Sequence, residues 1–268
     1  MKYKLLVIDI DGTLLGRERN ISAENKEALG RARESGVGVA LSTGRALLAC
    51  RSILGQLALD GHHIFFDGAL VSDLSEEVYA EPLDSEVVRE AVEFAHQHKI
   101  DIELHSAGQY FAERENWSTD AHRHYFGIEP TIMDFKDLWQ RERIIKGGLT
   151  SVNPEQLAKA RQFYARFESR LHFSLARSPV FPDVEFANVV ALEVSKGKAL
   201  EALVRHLEIS LSEVMAVGDG TNDITLLSRA GLGVAMGNAP DEVKAIADHI
   251  APHVDQSGLA VAIERFLL

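Results

Sequence analysis

Near its amino terminus the chain reads LLVIDIDGTL over residues 5–14, an apolar run that ends in two carboxylates and a glycine. Consecutive aliphatic residues are typical of a central strand in a parallel sheet, because both faces of such a strand are covered. Asp9 then lies at the carboxyl end of the strand, the edge where open α/β sheets bind ligands. Residues two apart on an extended chain point the same way, so the Asp9 and Asp11 carboxylates are expected to repel each other. Their pairing therefore indicates that they bind a metal ion or act together in one reaction. The alternative is a strand end with two solvated acids.

Composition narrows the class of protein. A length of 268 residues, with 46% hydrophobic and 25% charged residues, predicts a folded chain of one or two domains. The net charge of -12 argues against nucleic-acid and anionic-membrane partners, which need clustered Lys and Arg. The single Cys50 excludes internal disulfides and a thiolate metal cage. Because no signal peptide and no membrane-spanning apolar run is recognised, we expect a cytoplasmic location.

Strands and helices alternate at both ends of the chain. This pattern predicts one parallel sheet domain built from both ends, residues 1–82 and 184–268. After the strand that ends at Asp9, the predicted helices are 22–34, 46–57, 196–207, 241–248 and 258–267, and the predicted strands are 37–41, 63–66, 189–194, 214–217 and 232–235.

The aromatic residues and most histidines concentrate between these two parts, which predicts an inserted α+β domain over residues 83–183 with an antiparallel sheet. The tract 112–124 is interpreted as loop or irregular helix. The other predicted elements are helices 85–98 and 154–168 and strands 101–105, 110–112 and 144–151.

Four polar clusters follow strand ends or open helices. Carboxylates clustered without cysteine favour a hard cation, best Mg²⁺, which takes carboxylates, waters and phosphate oxygens as ligands. A lysine and a hydroxyl beside them favour a phosphoryl group, and a carboxylate can serve as its nucleophile. The clusters are Asp9 with Asp11; Thr43, Gly44 and Arg45; Lys196; and Asp219, Asn222 and Asp223.

These clusters form recognisable motifs. DIDGT at 9–13, TGR at 43–45, KG at 196–197 and GDGTND at 218–223 resemble, in order, the four motifs of the haloacid dehalogenase superfamily. VAMGNA at 234–239 is similar to its Cof-type phosphatase branch. The resemblance implies a Rossmann-like parallel sheet core with a large α+β cap inserted between the second and third motifs.

The resemblance also implies residue roles. Asp9 is expected to be the nucleophile, and Asp11 the general acid and then the general base. Phosphate binding is expected from Thr43, Gly44, Arg45, Lys196 and Asn222, and Mg²⁺ binding from Asp9, the backbone carbonyl of Asp11, Asp219 and Asp223.

The leading hypothesis is a Mg²⁺-dependent phosphatase that acts on small phosphorylated metabolites, with sugar phosphates the commonest class in similar proteins. It is expected to act as a monomer or homodimer, without nucleic-acid or membrane partners. A phosphosugar mutase would use the same aspartate, and a non-catalytic phospho-receiver would also surround an acceptor Asp with acids, a hydroxyl and a Lys. The receiver hypothesis explains neither Asp11 nor the inserted domain.

Two further residues are candidates for substrate contact. The Cof-type pattern usually has Asn before Gly-Ala, whereas this chain reads FDGA at 66–69. Asp67 either serves the turn, pairs with Arg45, or accepts hydrogen bonds from substrate hydroxyls. Lys146, in a strand-like run of the insertion, is the second candidate. Specificity is expected to reside in residues 83–183, because the core clusters address only the phosphoryl group.

Overall fold

The computed structural model describes residues 2–73, 75–178 and 181–268. Its strands are β1 (Leu5–Ile8), β2 (Gly38–Leu41), β3 (His63–Phe65), β4 (Leu70–Ser72), β5 (Glu77–Ala80), β6 (Ile102–His105), β7 (Tyr110–Ala112), β8 (Thr131–Ile132), β9 (Lys146–Ser151), β10 (Leu171–Ser178), β11 (Phe181–Ala191), β12 (Val214–Gly218), β13 (Leu232–Ala235) and β14 (His249–Ile250). Its helices are α1 (Ala23–Glu34), α2 (Leu47–Leu57), α3 (Ser85–His98), α4 (Trp117–Phe126), α5 (Leu138–Arg141), α6 (Pro154–Phe167), α7 (Lys196–His206), α8 (Ile224–Arg229), α9 (Asp241–Ile246) and α10 (Gly258–Phe266). The chain divides into two compact units.

The first unit comprises residues 1–43, 54–79 and 195–268. Its parallel sheet has the strand order β2-β1-β12-β13-β14, so the fold-class prediction of a parallel sheet core is confirmed. All four residues of β1 are buried, as expected for an aliphatic strand between two neighbours. Strand β3 belongs to a second sheet, β3-β4-β5, and an isolated parallel bridge between Ser42 and Ile64 connects it to the end of β2.

Two side-chain caps fix the helices that flank this sheet. Ser22 accepts a hydrogen bond from the backbone N–H of Asn25 at 3.2 Å, which makes it the N-cap of α1. Ser195 caps α7 in the same way, accepting from the backbone N–H of Lys198 at 3.2 Å. This cap places Lys196 in the first turn of α7.

The second unit comprises residues 44–53 and 80–194. Its six-stranded sheet has the order β10-β11-β9-β6-β7-β8 and is antiparallel except between β7 and β8. Side chains of α3, α6 and the sheet form its apolar core, including Val92, Leu104, Phe163 and Val189.

Two sequence predictions were wrong in this unit. Residues 113–116 of the tract 112–124 are loop, as predicted, but from Trp117 onward the tract is the regular helix α4, whose N-cap Asn116 forms a capping box with Thr119. The strand predicted at 189–194 does not resume the parallel sheet. Residues 189–191 end the long strand β11, which pairs antiparallel with β9 and β10.

None of the helices in the described part of the chain combines the length and the apolar character that crossing a membrane requires.

Candidate active site

The site of the first unit begins where β1 ends. The backbone N–H of Asp9 donates to Val217 of β12 at 2.9 Å, so the residues that follow these two strands lie side by side. Gly12 turns the chain with a φ of +94°, and a Cβ there would lie 2.1 Å from Asp219 Oδ2. Glycine at position 12 therefore allows the turn to approach the Asp219 carboxylate.

The Lys196 ammonium lies between two carboxylates. Its Nζ donates to Asp9 Oδ1 at 2.7 Å and to Asp223 Oδ1 at 2.5 Å. The side chains of Lys196 and Asp223 are fully buried, and that of Asp9 is nearly so. Charges buried in this way persist only when they are paired and hydrogen-bonded, so the three groups form one rigid unit.

The carboxylates outnumber the available positive charge. Burial raises the pKa of Asp9 well above its usual value, and the Lys196 charge only partly opposes this effect. Burial, followed by repulsion from Asp223, raises the pKa of Asp219 to about 7. Burial acts to lower the pKa of Lys196, but the Asp223 and Asp9 charges outweigh it and hold that pKa above its usual value. Burial and mutual repulsion at Asp9 and Asp219 are therefore only partly offset by Lys196, which is the environment in which a bound cation would stabilise the ionised carboxylates.

Two residues that sequence reasoning did not assign to the site hold Asp219. The Thr13 hydroxyl donates to Asp219 Oδ1 at 3.0 Å, and Asn238 Nδ2 donates to Asp219 Oδ2 at 3.0 Å. Asn238 Nδ2 also donates to the carbonyl of Gly12 at 2.8 Å. The motif VAMGNA contained Asn238, but its position after β13 gave no signal that its amide reaches Asp219.

Three carboxylates form a group that suits a hard divalent cation. One oxygen from each of Asp9, Asp219 and Asp223 lies within 4.8 Å of the others, and no His or Cys belongs to this group. Oxygen ligands of this kind match Mg²⁺ better than a softer metal. Asp223 Oδ2 also accepts hydrogen bonds from the backbone N–H groups of Asp219 and Gly220, at 3.0 and 2.9 Å. The Asp11 side chain is exposed and lies outside this group.

The predicted phosphate-binding residues divide between the units. Thr43 is buried at the end of β2, and its carbonyl accepts the backbone N–H of Asp67 at 3.0 Å. Gly44 and Arg45 belong to the second unit. Within that unit the Arg45 guanidinium lies 5.1 Å from the centre of the Phe126 ring, and the carbonyl of Gly44 accepts from Lys146 Nζ at 3.3 Å.

Asp67 has a partner that the sequence did not predict. Asn222 Nδ2 donates to Asp67 Oδ1 at 2.7 Å, and Asp67 is buried. Asp67 adopts a left-handed φ of 57°, which Asn and Asp tolerate better than most residues. The next residue, Gly68, has no room for a Cβ, which would lie 2.3 Å from the carbonyl oxygen of Ser195. The turn thus packs against the start of α7 and presents Asp67 to Asn222.

Comparison with known proteins identifies the family. The haloacid dehalogenase-like hydrolase profile matches residues 6–263. The chain belongs to this family. A 5-amino-6-(5-phospho-D-ribitylamino)uracil phosphatase of Bacillus subtilis is 31% identical over 99% of this chain and 96% of its own length. Another B. subtilis phosphatase is 29% identical over 98% of this chain and all of its own length. The solved structure of a sugar phosphatase of haloacid dehalogenase subclass IIB is 26% identical, with a TM-score of 0.81 over 99% of this chain and 100% of that one.

Membership in the haloacid dehalogenase-like hydrolases confirms the predicted family, fold and enzyme class, a phosphatase.

The second unit of this hydrolase also holds a buried polar group that the sequence did not reveal. Glu103 and His105 of β6 are buried beside Tyr110 of β7 and Lys146 of β9, and His122 of α4 is close to them. Alternation along β6 could have placed Glu103 and His105 on one face, but the helix α4 that contributes His122 was not predicted.

Proposed function

We propose that this phosphatase is Mg²⁺-dependent and hydrolyses small phosphorylated metabolites, sugar phosphates above all, through an aspartyl-phosphate on Asp9. The observation that carries the proposal is the Lys196 ammonium held between Asp9 and Asp223, beside Asp219. A nucleophilic carboxylate, a fixed cation and an oxygen-rich metal group are together what phosphoryl transfer requires.

The proposed metal ligands are Asp9, Asp219, Asp223 and the backbone carbonyl of Asp11. When bound, Mg²⁺ supplies positive charge that neutralises the carboxylates and the phosphoryl oxygens. The raised pKa values of Asp9 and Asp219 support a site built for such an ion, because burial and repulsion there are not fully compensated by Lys196. Asp223 has a second task, since its two oxygens hold Lys196 and the turn after β12.

Asp9 and Asp11 divide the chemistry. The Asp9 carboxylate attacks phosphorus in line, and the exposed Asp11 carboxyl donates its proton to the leaving oxygen. Asp11 then accepts a proton from the water that cleaves the acyl-phosphate. The difference in environment supports this division, because Asp9 is buried and held by Lys196 whereas the Asp11 side chain is exposed. General acid-base catalysis of this kind contributes about a hundred- to ten-thousand-fold.

The phosphoryl oxygens are assigned to Thr43, Gly44, Arg45, Lys196 and Asn222. Lys196 is a fixed charge for this purpose, because Asp223 holds its ammonium in place. The Asn222 amide is oriented by its hydrogen bond to Asp67. Asp67 then acts on phosphate through Asn222 in addition to any contact with substrate hydroxyls.

Contact with the leaving group is assigned to residues 83–183, and Lys146 is the first candidate for this contact. A phosphoribitylamino compound is the substrate named for one relative, and a sugar phosphatase is among the structural neighbours. Both names support phosphorylated polyols and sugars as the substrate class of this chain. The cytoplasmic location and the monomeric or homodimeric state stay predictions.

The test is a panel of sugar phosphates, polyol phosphates and nucleotides, assayed with Mg²⁺ and with excess chelator. We expect turnover only with Mg²⁺, highest on sugar or polyol phosphates. Asp9→Asn is expected to lower kcat by at least about 10⁴-fold, because it removes the nucleophile. Asp60→Asn, which changes an exposed acid, is the matched control and is expected to behave as wild type. Full turnover in chelator, or in Asp9→Asn, would contradict the proposal.

A phosphosugar mutase is the second candidate, because it uses the same Asp9. Product analysis separates the two reactions: free phosphate supports the phosphatase, and an isomerised sugar phosphate supports the mutase. A phospho-receiver would instead keep a stable phospho-Asp9 in the wild-type protein. Acid quench and mass measurement at Asp9 distinguish a transient phospho-enzyme from a stable one.

A further inference from the structure

Four side chains of the first unit meet at the carboxyl end of α7, away from any residue assigned to phosphate chemistry. They are His62, which precedes β3; Asp73 and Glu76, which lie between β4 and β5; and His206, the last residue of α7. His62 Nε2 is 3.8 Å from Asp73 Oδ2 and 3.7 Å from Glu76 Oε2. The His62 and His206 rings lie 4.3 Å apart between centroids. Ligand atoms of His62, Glu76 and His206 all lie within 4.8 Å of one another.

His62 points an unsatisfied nitrogen into this group. Its side chain is only 10% exposed, and its Nε2 has no hydrogen-bond partner among the described residues. The two carboxylate oxygens that it faces are too far away for a hydrogen bond. Because a buried polar atom without a partner destabilises the fold, a ligand that satisfies His62 Nε2 is expected.

The Asp73 carboxylate is already oriented. Its Oδ1 accepts hydrogen bonds from the backbone N–H of Ser75 at 2.5 Å, from the Ser75 hydroxyl at 3.0 Å and from the backbone N–H of Glu76 at 2.6 Å. These bonds turn Oδ2 toward His62. Hydrogen bonds on the outer atoms of a ligand are what fixes the ligand atom in a metal site.

The spacing matches a shared ion. Two atoms that each lie about 2.1 Å from one metal are roughly 3.4–4.2 Å apart for angles between the tetrahedral value and a straight line. The two measured separations of 3.7 and 3.8 Å fall in this range. Because His206 and Glu76 are exposed, small rotations of their side chains can close the remaining distance.

We propose that His62, Glu76 and His206, whose ligand atoms are grouped, bind one Zn²⁺ ion, and that Asp73, whose Oδ2 faces His62 Nε2, is the fourth ligand. Two imidazoles with two carboxylates suit a transition-metal dication, whereas Mg²⁺ prefers oxygen ligands alone. Two carboxylates balance the charge of the ion. The carboxyl end of α7 adds the partial negative charge of the helix dipole.

The site joins α7 to the sheet β3-β4-β5. Four protein ligands leave no open position for substrate, which is typical of structural zinc. The other end of α7 begins with Lys196, and the turn that carries Asp67 packs there through Gly68. The turn packs against the amino end of α7, and the ion fixes the carboxyl end of α7 to the sheet β3-β4-β5. Its role is therefore structural.

The test measures metal content directly. Wild-type protein in excess Mg²⁺ is equilibrated with Zn²⁺, passed through gel filtration and analysed for bound zinc, and Co²⁺ is substituted to record its visible absorption. We expect one Zn²⁺ per chain that His206→Gln and Glu76→Gln do not retain, and a tetrahedral Co²⁺ spectrum that both variants lack. Affinity should fall by more than about tenfold in each, since loss of even an outer hydrogen-bond partner of a ligand costs about ten- to hundredfold.

The control is His98→Gln, which removes an exposed histidine of the second unit and should bind Zn²⁺ as wild type does. Zn²⁺ should raise the Tm of wild type and of His98→Gln but not that of His206→Gln, because only a ligand that binds the folded state stabilises it. His206 is exposed, so its substitution leaves the fold intact. Equal zinc retention by wild type and His206→Gln, or none in wild type, would overturn the proposal.

Discussion

The two units differ in how completely their buried polar groups are hydrogen-bonded. In the first unit Lys196, Asp9 and Asp223 are joined at hydrogen-bonding distance. In the second unit Glu103 Oε1 and Tyr110 Oη are buried and form no well-aligned hydrogen bond with the described residues, although Glu103 and Ser118 lie beside the Tyr110 hydroxyl. The first arrangement is what a reaction centre needs, since its charges must be in place before the substrate arrives.

The second unit instead contains buried polar groups whose hydrogen bonding is incomplete. A buried hydroxyl or carboxylate oxygen without a partner lowers the stability of the fold, so it persists more readily where a ligand makes use of it. We therefore expect substitutions around Lys196 to lower both activity and stability. Substitutions around Tyr110 should change stability little or raise it, and should act on substrate preference.

The largest effect is expected for Lys196→Met. It leaves Asp9 and Asp223 buried without their cation, so the free energy of unfolding should fall by about 3–5 kcal/mol and kcat by more than about a thousandfold. Chemical denaturation and turnover assays measure the two losses, with Lys198→Met as the control on the same helix. Adding Asp223→Asn should recover part of the stability and none of the activity. A Lys196→Met protein as stable as wild type would show that the pairing is not needed.

The second-largest effect is a pH dependence of stability that arises from His105 in the second unit. Burial, then the charges of Lys146 and His122, lowers the pKa of His105 well below its usual value. His105 is thus neutral in the fold and protonated more readily in the unfolded chain. Its contribution to the free energy of unfolding should be lost as pH falls below about 6.5, by up to about 1.4 kcal/mol per pH unit.

Denaturation of wild type and His105→Gln between pH 7 and pH 5 checks this contribution. The variant has no imidazole at position 105, so its stability should fall less steeply with pH. Equal slopes for the two proteins would exclude His105 as the source.

A smaller change is expected for Tyr110→Phe. Removing a buried hydroxyl that forms no well-aligned hydrogen bond should raise the free energy of unfolding by roughly 0.5–1 kcal/mol. If the hydroxyl contacts substrate, kcat/KM falls for some members of the substrate panel and not for others. Tyr164→Phe is the contrasting control, because the Tyr164 hydroxyl donates to Glu185 at 3.3 Å and its loss should lower stability. If Tyr110→Phe lowered the free energy of unfolding as much as Tyr164→Phe does, the proposed difference between the two hydroxyls would be contradicted.

The smallest effect is expected for Asp67→Asn. Asn can keep the left-handed turn and can still accept from Asn222, so stability should change by less than about 0.5 kcal/mol. Loss of one negative charge should lower KM by about two- to fivefold, or about 0.5–1 kcal/mol. An equal change for a sugar phosphate and for p-nitrophenyl phosphate indicates an electrostatic effect on phosphate. A rise in KM confined to the sugar phosphate indicates contact with its hydroxyls, and unchanged constants leave Asp67 a turn residue.

The sequence predicted the grouping of Asp9, Asp219 and Lys196 because a general rule of the fold brings them together. Side chains that follow neighbouring parallel strands meet at one edge, and the helix predicted at 196–207 begins with Lys196. The grouping required no knowledge of loop conformation.

The rest depends on conformations that no periodic pattern encodes. The contact between Asp67 and Asn222 needs a left-handed turn packed against Ser195, and the contact between Asn238 and Asp219 joins two separate loops. Helix α4 was missed for a different reason. Its capping residues, Asn116 and Thr119, were visible in the sequence, but the polar composition of the tract obscured them.

The order of the strands has a consequence for how the enzyme is made. Strand β1, which ends at Asp9, lies between β2 and β12, and Leu5 is paired with Val214. At a synthesis rate of about 5–20 residues per second, β1 leaves the ribosome roughly 10–40 s before the strand that covers its other edge. During that time its aliphatic edge is open to pairing with other chains, so any nascent chain that stops before residue 214 exposes an aggregation-prone strand.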